Sequence, residues 1–173
     1  VKALTSVLNS PVKPVAALVG GAKISSKINI IEYLLTKMDY LVIGGAMANT
    51  FLVAQGFNMR KSLYEKECID IAKSILKISE TNNCKIILPI DLVVSKKFET
   101  NAKFEIVSSD AVPSEMMALD IGPKTINKIS SVFQKVNTLL WNGPVGAFET
   151  PPFGEGTFKL AREAAKLLSL IHI

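Results

Sequence analysis

With 173 residues, 49% of them apolar and 20% charged, the chain has the size and residue usage of one globular domain, which excludes a disordered, collagen-like or coiled-coil protein. Its formal charge of +5, from 20 basic and 15 acidic side chains, is spread along the sequence with no basic run interleaved with aromatics, which argues against a nucleic-acid binder. The single histidine, His172, and two cysteines outside any metal or redox spacing, Cys68 and Cys84, exclude zinc clusters and Ser-His-Asp chemistry.

In chain order, Lys2 to Asn9 read as the end of a helix that Pro11 and Pro14 stop. Val15 to Val19 is a continuous apolar run closing on Gly20-Gly21, the pattern of a strand buried on both faces. Ser25 or Ser26 is positioned to cap the next helix, whose apolar stripe is Ile28, Ile31, Leu34 and Leu35. Tyr40 to Ile43 predicts a second buried strand, ending in Gly44-Gly45. A helix follows from Met47 to Ala54, with Gly56 as its C-terminal cap.

Glu65 to Ser79 reads as a longer helix with Ile69, Ala72, Ile75 and Leu76 on one face, and Lys85 to Leu88 as a third strand stopped by Pro89. Ser95 to Ser114 is the least regular stretch. It predicts exposed loops or edge strands, with β-like pieces such as Phe104 to Val107. Lys124 to Gln134 is helical, Thr138 to Trp141 is the fourth buried strand, and Phe153 to Leu170 predicts a final helix.

Short apolar strands alternating with helices predict an α/β fold: a doubly wound parallel sheet with helices on both faces, a three-layer Rossmann-like arrangement. Ligands of such sheets bind beyond the carboxyl ends of the strands, where three of these four strands end in glycine-containing turns. The longest apolar stretch, Tyr40 to Ala54, is interrupted by Gly44, Gly45, Asn49 and Thr50 and falls short of the ~20 residues a membrane span needs. With no signal peptide legible either, the expected location is the cytoplasm, no membrane partner is expected, and the two thiols are expected to be reduced.

Three segments carry the chemistry. In Gly20-Gly21-Ala22-Lys23-Ile24-Ser25-Ser26-Lys27, a glycine turn after a strand lets backbone approach a ligand, and the following helix start offers amides to an anion. Lys23 and Lys27 share one face if both lie on that helix. There they oppose the macrodipole by about 0.3–1 kcal/mol each, which makes sense if an anion sits between them. The plainer reading is two solvated lysines beside a turn. The spacing is not that of a P-loop. In Ile43-Gly44-Gly45-Ala46-Met47-Ala48, the small-residue turn either admits a base or ribose or only packs a helix tightly on the sheet. In Trp141-Asn142-Gly143-Pro144-Val145-Gly146-Ala147-Phe148-Glu149, a strand ends in a turn that projects amides, an amide side chain and a carboxylate. Glu149 can accept from ribose hydroxyls; the alternative is a rigid turn with Trp141 in the core.

These strings, with Leu88-Pro89-x-Asp91 and Leu119-Asp120-x-Gly122-Pro123 between them, resemble phosphoglycerate kinase in order and spacing from about Lys2 to Ala165. The resemblance is to its C-terminal, nucleotide-binding domain. It implies that residues 1–14 end an interdomain helix and linker and that 15–173 form an incomplete nucleotide-binding domain, truncated at its C-terminal end. It also implies reversible phosphoryl transfer between 1,3-bisphosphoglycerate and ADP, giving 3-phosphoglycerate and ATP.

On the resemblance, Lys23 and Lys27 meet the nucleotide phosphates and the transferring group. Gly21, Ala22, Gly45, Ala118 and Leu119 wall the adenine pocket. Asn142, Gly143, Pro144 and Val145 flank ribose and phosphates, and Glu149 binds the ribose. Magnesium is implied with the nucleotide, and the expected state is a monomer. The sequence departs from the family at Ser26, where Asp is frequent, and at Ala46, where Gly is frequent. Its last residues, Leu167 to Ile173, do not resemble the family's continuation into a strand and a metal-placing Gly-Gly-Asp turn, and the missing terminal strands are expected to leave a hydrophobic sheet edge exposed. The acid-substrate half is expected before Val1. The alternative function is an inactive stand-alone nucleotide-binding module or truncation product.

Overall fold

The computed structural model describes residues 11–166 and, as backbone only, 170–172. The helix predicted over Lys2 to Asn9 lies outside the described residues. In chain order the elements are β1 (Val15–Val19), α1 (Ile28–Leu35), β2 (Tyr40–Ile43), α2 (Ala46–Ala54), a 3-10 turn (Lys66–Cys68), α3 (Ile69–Thr81), β3 (Lys85–Ile87), β4 (Asp91–Ser95), β5 (Phe104–Ser108), β6 (Met117–Ile121), α4 (Pro123–Phe133), β7 (Thr138–Asn142), α5 (Glu155–Ala164) and β8 (Leu170–His172).

Five strands form one parallel sheet in the order β3-β2-β1-β7-β8. Strand order runs outward from β1 in one direction through β2 and β3, and in the other through β7 and β8. The topological switch point of this doubly wound sheet therefore lies between β1 and β7. Side-chain alternation along β1 feeds both faces. Val15, Ala17 and Val19 pack with Ile31, Leu34 and Leu35 of α1, Phe51 of α2 and Ile75 of α3. Ala16 and Leu18 pack on the opposite face with Ile129 and Phe133 of α4 and Leu160 of α5. Both faces are covered, which is why these strands read as unbroken apolar runs.

The predicted boundaries hold to within a few residues for most elements, with four differences. First, Asp91–Ser95 and Met117–Ile121 are strands: with β5 they make a separate three-stranded antiparallel sheet, β5-β4-β6, inserted between β3 and α4. Second, the longer helix begins with a 3-10 turn, so its α-helical part starts only at Ile69. Third, the final helix ends at Ala164, and Leu170–His172 pair in parallel with β7. An apolar run fits helix or strand equally by periodicity, and this one is strand. β7 thus has a parallel neighbour at residues 139–141.

The fourth difference concerns capping. Neither Ser25 nor Ser26 caps α1, whose N-cap position is Lys27, without a side-chain cap bond. Ser25 instead gives its backbone N–H and its hydroxyl to the Glu65 carboxylate, and the Ser26 hydroxyl donates to the carbonyl of Lys23. The cap at Gly56 is as predicted. Its φ is +95°, and the N–H groups of Gly56 and Phe57 reach the carbonyls of Val53 (2.9 Å) and Leu52 (3.0 Å), the paired bonds of a Schellman ending. Cys68 and Cys84 are both free and buried, and burial pushes the Cys84 thiol up to about 11. No described helix is long and apolar enough to cross a membrane.

Candidate functional site

Three turns meet where β1, β2 and β7 end. They are stitched by backbone bonds: Gly20 N–H to the Asn142 carbonyl (2.8 Å), Gly45 N–H to the Val145 carbonyl (2.9 Å) and Met47 N–H to the Gly21 carbonyl (3.0 Å). The turns touch main chain to main chain. A Cβ at Gly45 would stand 2.4 Å from the Gly21 carbonyl oxygen, and one at Gly143 would stand 2.5 Å from that of Gly20. Both residues also have left-handed φ, +69° and +85°. Only glycine satisfies both conditions. Trp141 is core, in tilted contact with Phe133, and its indole N–H donates to the Gly143 carbonyl at 2.7 Å, so the strand itself holds the turn that follows it.

Beside these turns lies a cleft of about 700 Å³. One wall is Gly21, Ala22 and Gly45, and another is Ala118 and Leu119 from β6. Pro144 and Val145 close it below, and the loop that runs on from them brings Glu149 to its rim. Eight of the twelve residues singled out from the sequence therefore line one cavity, although they come from four separated segments. The antiparallel sheet that the sequence did not announce supplies the Ala118–Leu119 wall.

The other four sit at the turn cluster beside the cleft. Lys27 is half-buried, and its ammonium donates to the Gly20 carbonyl (3.0 Å) and to Asn142 Oδ1, which joins the first and third glycine turns. Burial lowers its pKa from the ordinary lysine value. The same ammonium lies 3.5 Å from where a Cβ on Gly143 would be. Lys23 is exposed and precedes the helix, so the two lysines do not share a helical face. Its charge reaches Glu65, whose carboxyl is held below the usual range despite partial burial, by Ser25 and then by Lys23. Two amides of the expected anion cradle are already engaged: Ser25 N–H by Glu65 and Lys27 N–H by the Ile24 carbonyl.

Sequence reasoning missed several lining residues, among them Leu63, Tyr64 and Phe98. Leu63 and Phe98 are 63% and 59% exposed, large apolar side chains at the mouth of a mostly apolar cavity. Nothing local in the sequence separates such residues from core, because their exposure is set by the tertiary fold.

Two motif carboxylates have structural partners. Asp91 is buried and accepts from the N–H of Lys124 (2.9 Å), the N–H of Thr125 (2.7 Å) and the Thr125 hydroxyl (2.6 Å). It thereby caps α4 from a neighbouring strand, where the helix's own N-cap, Gly122, has no side chain. Asp120 is buried at the cleft floor, and burial, outweighing two backbone donors, pushes its carboxyl up to about 7. Among the described residues, no three His, Cys, Asp or Glu side chains gather to hold a metal ion.

A sequence model of the family "Phosphoglycerate kinase" matches residues 1–173. The phosphoglycerate kinase of Methylorubrum extorquens (strain PA1) is 51% identical over 164 residues, covering 95% of this chain and 41% of that protein. That of Rhodopseudomonas palustris is 52% identical over the same coverage. Among solved structures, phosphoglycerate kinase from Coxiella burnetii superposes with a TM-score of 0.96 at 40% identity, over 99% of this chain and 44% of that one. The Pyrococcus horikoshii enzyme shares the fold, with a TM-score of 0.81 at 24% identity. The chain thus spans about two-fifths of the length of the curated relatives it matches.

Proposed function

The chain belongs to the phosphoglycerate kinase family, and we propose that it supplies the ADP/ATP-binding part of such a kinase. The reaction is reversible phosphoryl transfer from 1,3-bisphosphoglycerate to ADP. The observation that carries this reading is the cleft between the turns that end β1 and β2 and the β6 wall, beside the topological switch point. Its size of about 700 Å³ and its apolar walls suit a purine nucleoside, and the Gly20–Gly21 and Asn142–Gly143 turns beside it hold a lysine ammonium between them.

Base and ribose enter the cleft between Ala22 and Leu119, with Glu149 accepting from the ribose hydroxyls. Phosphates then extend over the turn cluster toward Lys27 and Lys23. Phosphoryl transfer needs positioning and neutralisation of the equatorial oxygens more than covalent chemistry, and the two lysines provide positive charge. Magnesium is carried in on the nucleotide phosphates as part of the substrate. The acid substrate is held by an N-terminal half, with residues 1–14 leading from it and 15–173 forming the nucleotide-binding unit. On this reading the protein works in the cytoplasm as a monomer.

The 173-residue chain alone is then inactive as a kinase, because positioning of the second substrate, worth ~7–11 kcal/mol of barrier, is not provided by the cleft. A coupled assay on the purified chain, with and without a separately supplied N-terminal half, tests this. Turnover only in the presence of that half is the expected result. Robust turnover by the chain alone would overturn the division of labour, and no uptake of MgADP by the chain would overturn the nucleotide reading.

A further inference from the structure

We propose that Asp120 is a positioning residue for the nucleotide cleft, a buried post against which the Val145–Thr150 loop and the start of α5 are set. The proposal rests on the nucleotide reading for its consequence in binding, but its geometry stands independently.

Asp120 is 3% exposed at the end of β6, directly after the Ala118–Leu119 wall. One carboxylate oxygen accepts from Ile121 N–H and the other from Gly156 N–H, both at 2.8 Å. Gly156 lies in the first turn of α5, whose N-cap, Gly154, has no side chain to offer. Asp120 therefore supplies the missing acceptor from across the fold. The loop is pressed on the same carboxylate. A Cβ at Gly146 would stand 2.2 Å from Asp120 Oδ1, and one at Gly156 would stand 2.4 Å from it. Two further bonds complete the brace: Ala147 N–H to the Leu119 carbonyl (2.8 Å) and Val145 N–H to the Thr157 hydroxyl (3.2 Å). The loop so held carries Glu149 to the cleft rim. Any change in the size or acceptor capacity of the Asp120 carboxylate is thus felt three residues from the ribose-facing side chain.

Burial, outweighing the two backbone donors, pushes the carboxyl up to about 7. Facing it from α5 are Glu155, which opposes ionisation, and Lys159, which favours it. Opposite it on β4 is Val93, and the only titratable side chain of the loop is Glu149. The ionised group accepts fully from both amides. Once protonated, one oxygen becomes a donor and a poorer acceptor, and the brace loosens.

Amide NMR of the full chain between pH 5.5 and 8.5, without ligand, reads the post directly. The Gly156 and Ile121 amides are expected to titrate together, and the amides of Gly146 to Glu149 to follow with the same midpoint near 7. Adenosine, which carries no phosphate to titrate in this range, then serves as the binding probe. Its dissociation constant is expected to rise at least fivefold from pH 8 to pH 6, and D120N to be weak at both. G146A, which crowds the carboxylate, is expected to weaken adenosine to a similar extent, and D120A/G146A to bind no worse than G146A. Loop amides that stay flat while Gly156 titrates, or additive losses in the double variant, would overturn the proposal. Absence of adenosine binding by the parent chain would count against the nucleotide reading, while the ligand-free titration still decides the role of Asp120.

Discussion

Replacing Lys27 with alanine is the sharpest perturbation of the proposed phosphate end. In the unliganded protein the ammonium is not idle: it bonds the Gly20 carbonyl at 3.0 Å and Asn142 Oδ1, at half burial. Binding a phosphate is therefore an exchange of partners. A hydrogen bond to a charged group contributes ~1.5–3 kcal/mol, and the lower end applies because two neutral acceptors are released. Lys27→Ala is expected to weaken ADP and ATP by about 1.5 kcal/mol, roughly tenfold. Adenosine, which does not reach the ammonium, is expected to change by less than about twofold. Calorimetric titration of the three ligands into parent and variant makes the comparison. The parent's discrimination between ADP and adenosine should also shrink as salt rises, and the variant's should not. Equal losses for adenosine and ADP would refute the assignment and make Lys27 a brace between two turns, with no role toward phosphate.

Glu149→Gln is expected to lower affinity for adenosine by ~0.5–1.5 kcal/mol, an exposed carboxylate losing its charge at the ribose, and to leave a ligand without ribose hydroxyls unaffected. Asp91→Ala removes three bonds from the start of α4 and strands buried donors. Urea unfolding should show a loss of about 2–4 kcal/mol with little change in nucleotide affinity. Asp120 predicts a pH dependence of stability. An acid whose carboxyl rises from 3.8 in the unfolded chain to about 7 in the fold holds more protons when folded between those values, so folding stability falls as pH rises through that window. The full span corresponds to about 4 kcal/mol. The parent-minus-D120N difference in unfolding free energy should slope accordingly from pH 4 to 7 and flatten above it.

What the sequence made legible follows from where its strands lie. β1, β2 and β7 are interior to the sheet and covered on both faces, and so appear as apolar runs ending in turn residues, while β3, at the sheet edge, is legible from its short apolar run before Pro89. β4 and β6 escaped that reading because Asp91 and Asp120 sit within them, and those carboxylates serve helix ends far away in sequence. Ser25 was legible as a cap by type, yet Glu65, forty residues on, takes its hydroxyl and amide. At the site, glycine turns and the residues beside them were found because backbone demands are written locally. The apolar mouth at Leu63 and Phe98 was not, since its exposure depends on how the antiparallel sheet docks.

The central claim is that the cleft between the β1 and β2 turns and β6 holds an adenine nucleotide. A crystal structure of the chain grown with MgADP tests it most directly. The account predicts the base between the Gly21–Ala22–Gly45 and Ala118–Leu119 walls, the ribose near Glu149, and the phosphates within hydrogen-bonding reach of Lys27. Nucleotide bound elsewhere on the chain, for example in the smaller hollow beside Lys128, or with its phosphates pointing away from the Gly20–Gly21 turn, would contradict it.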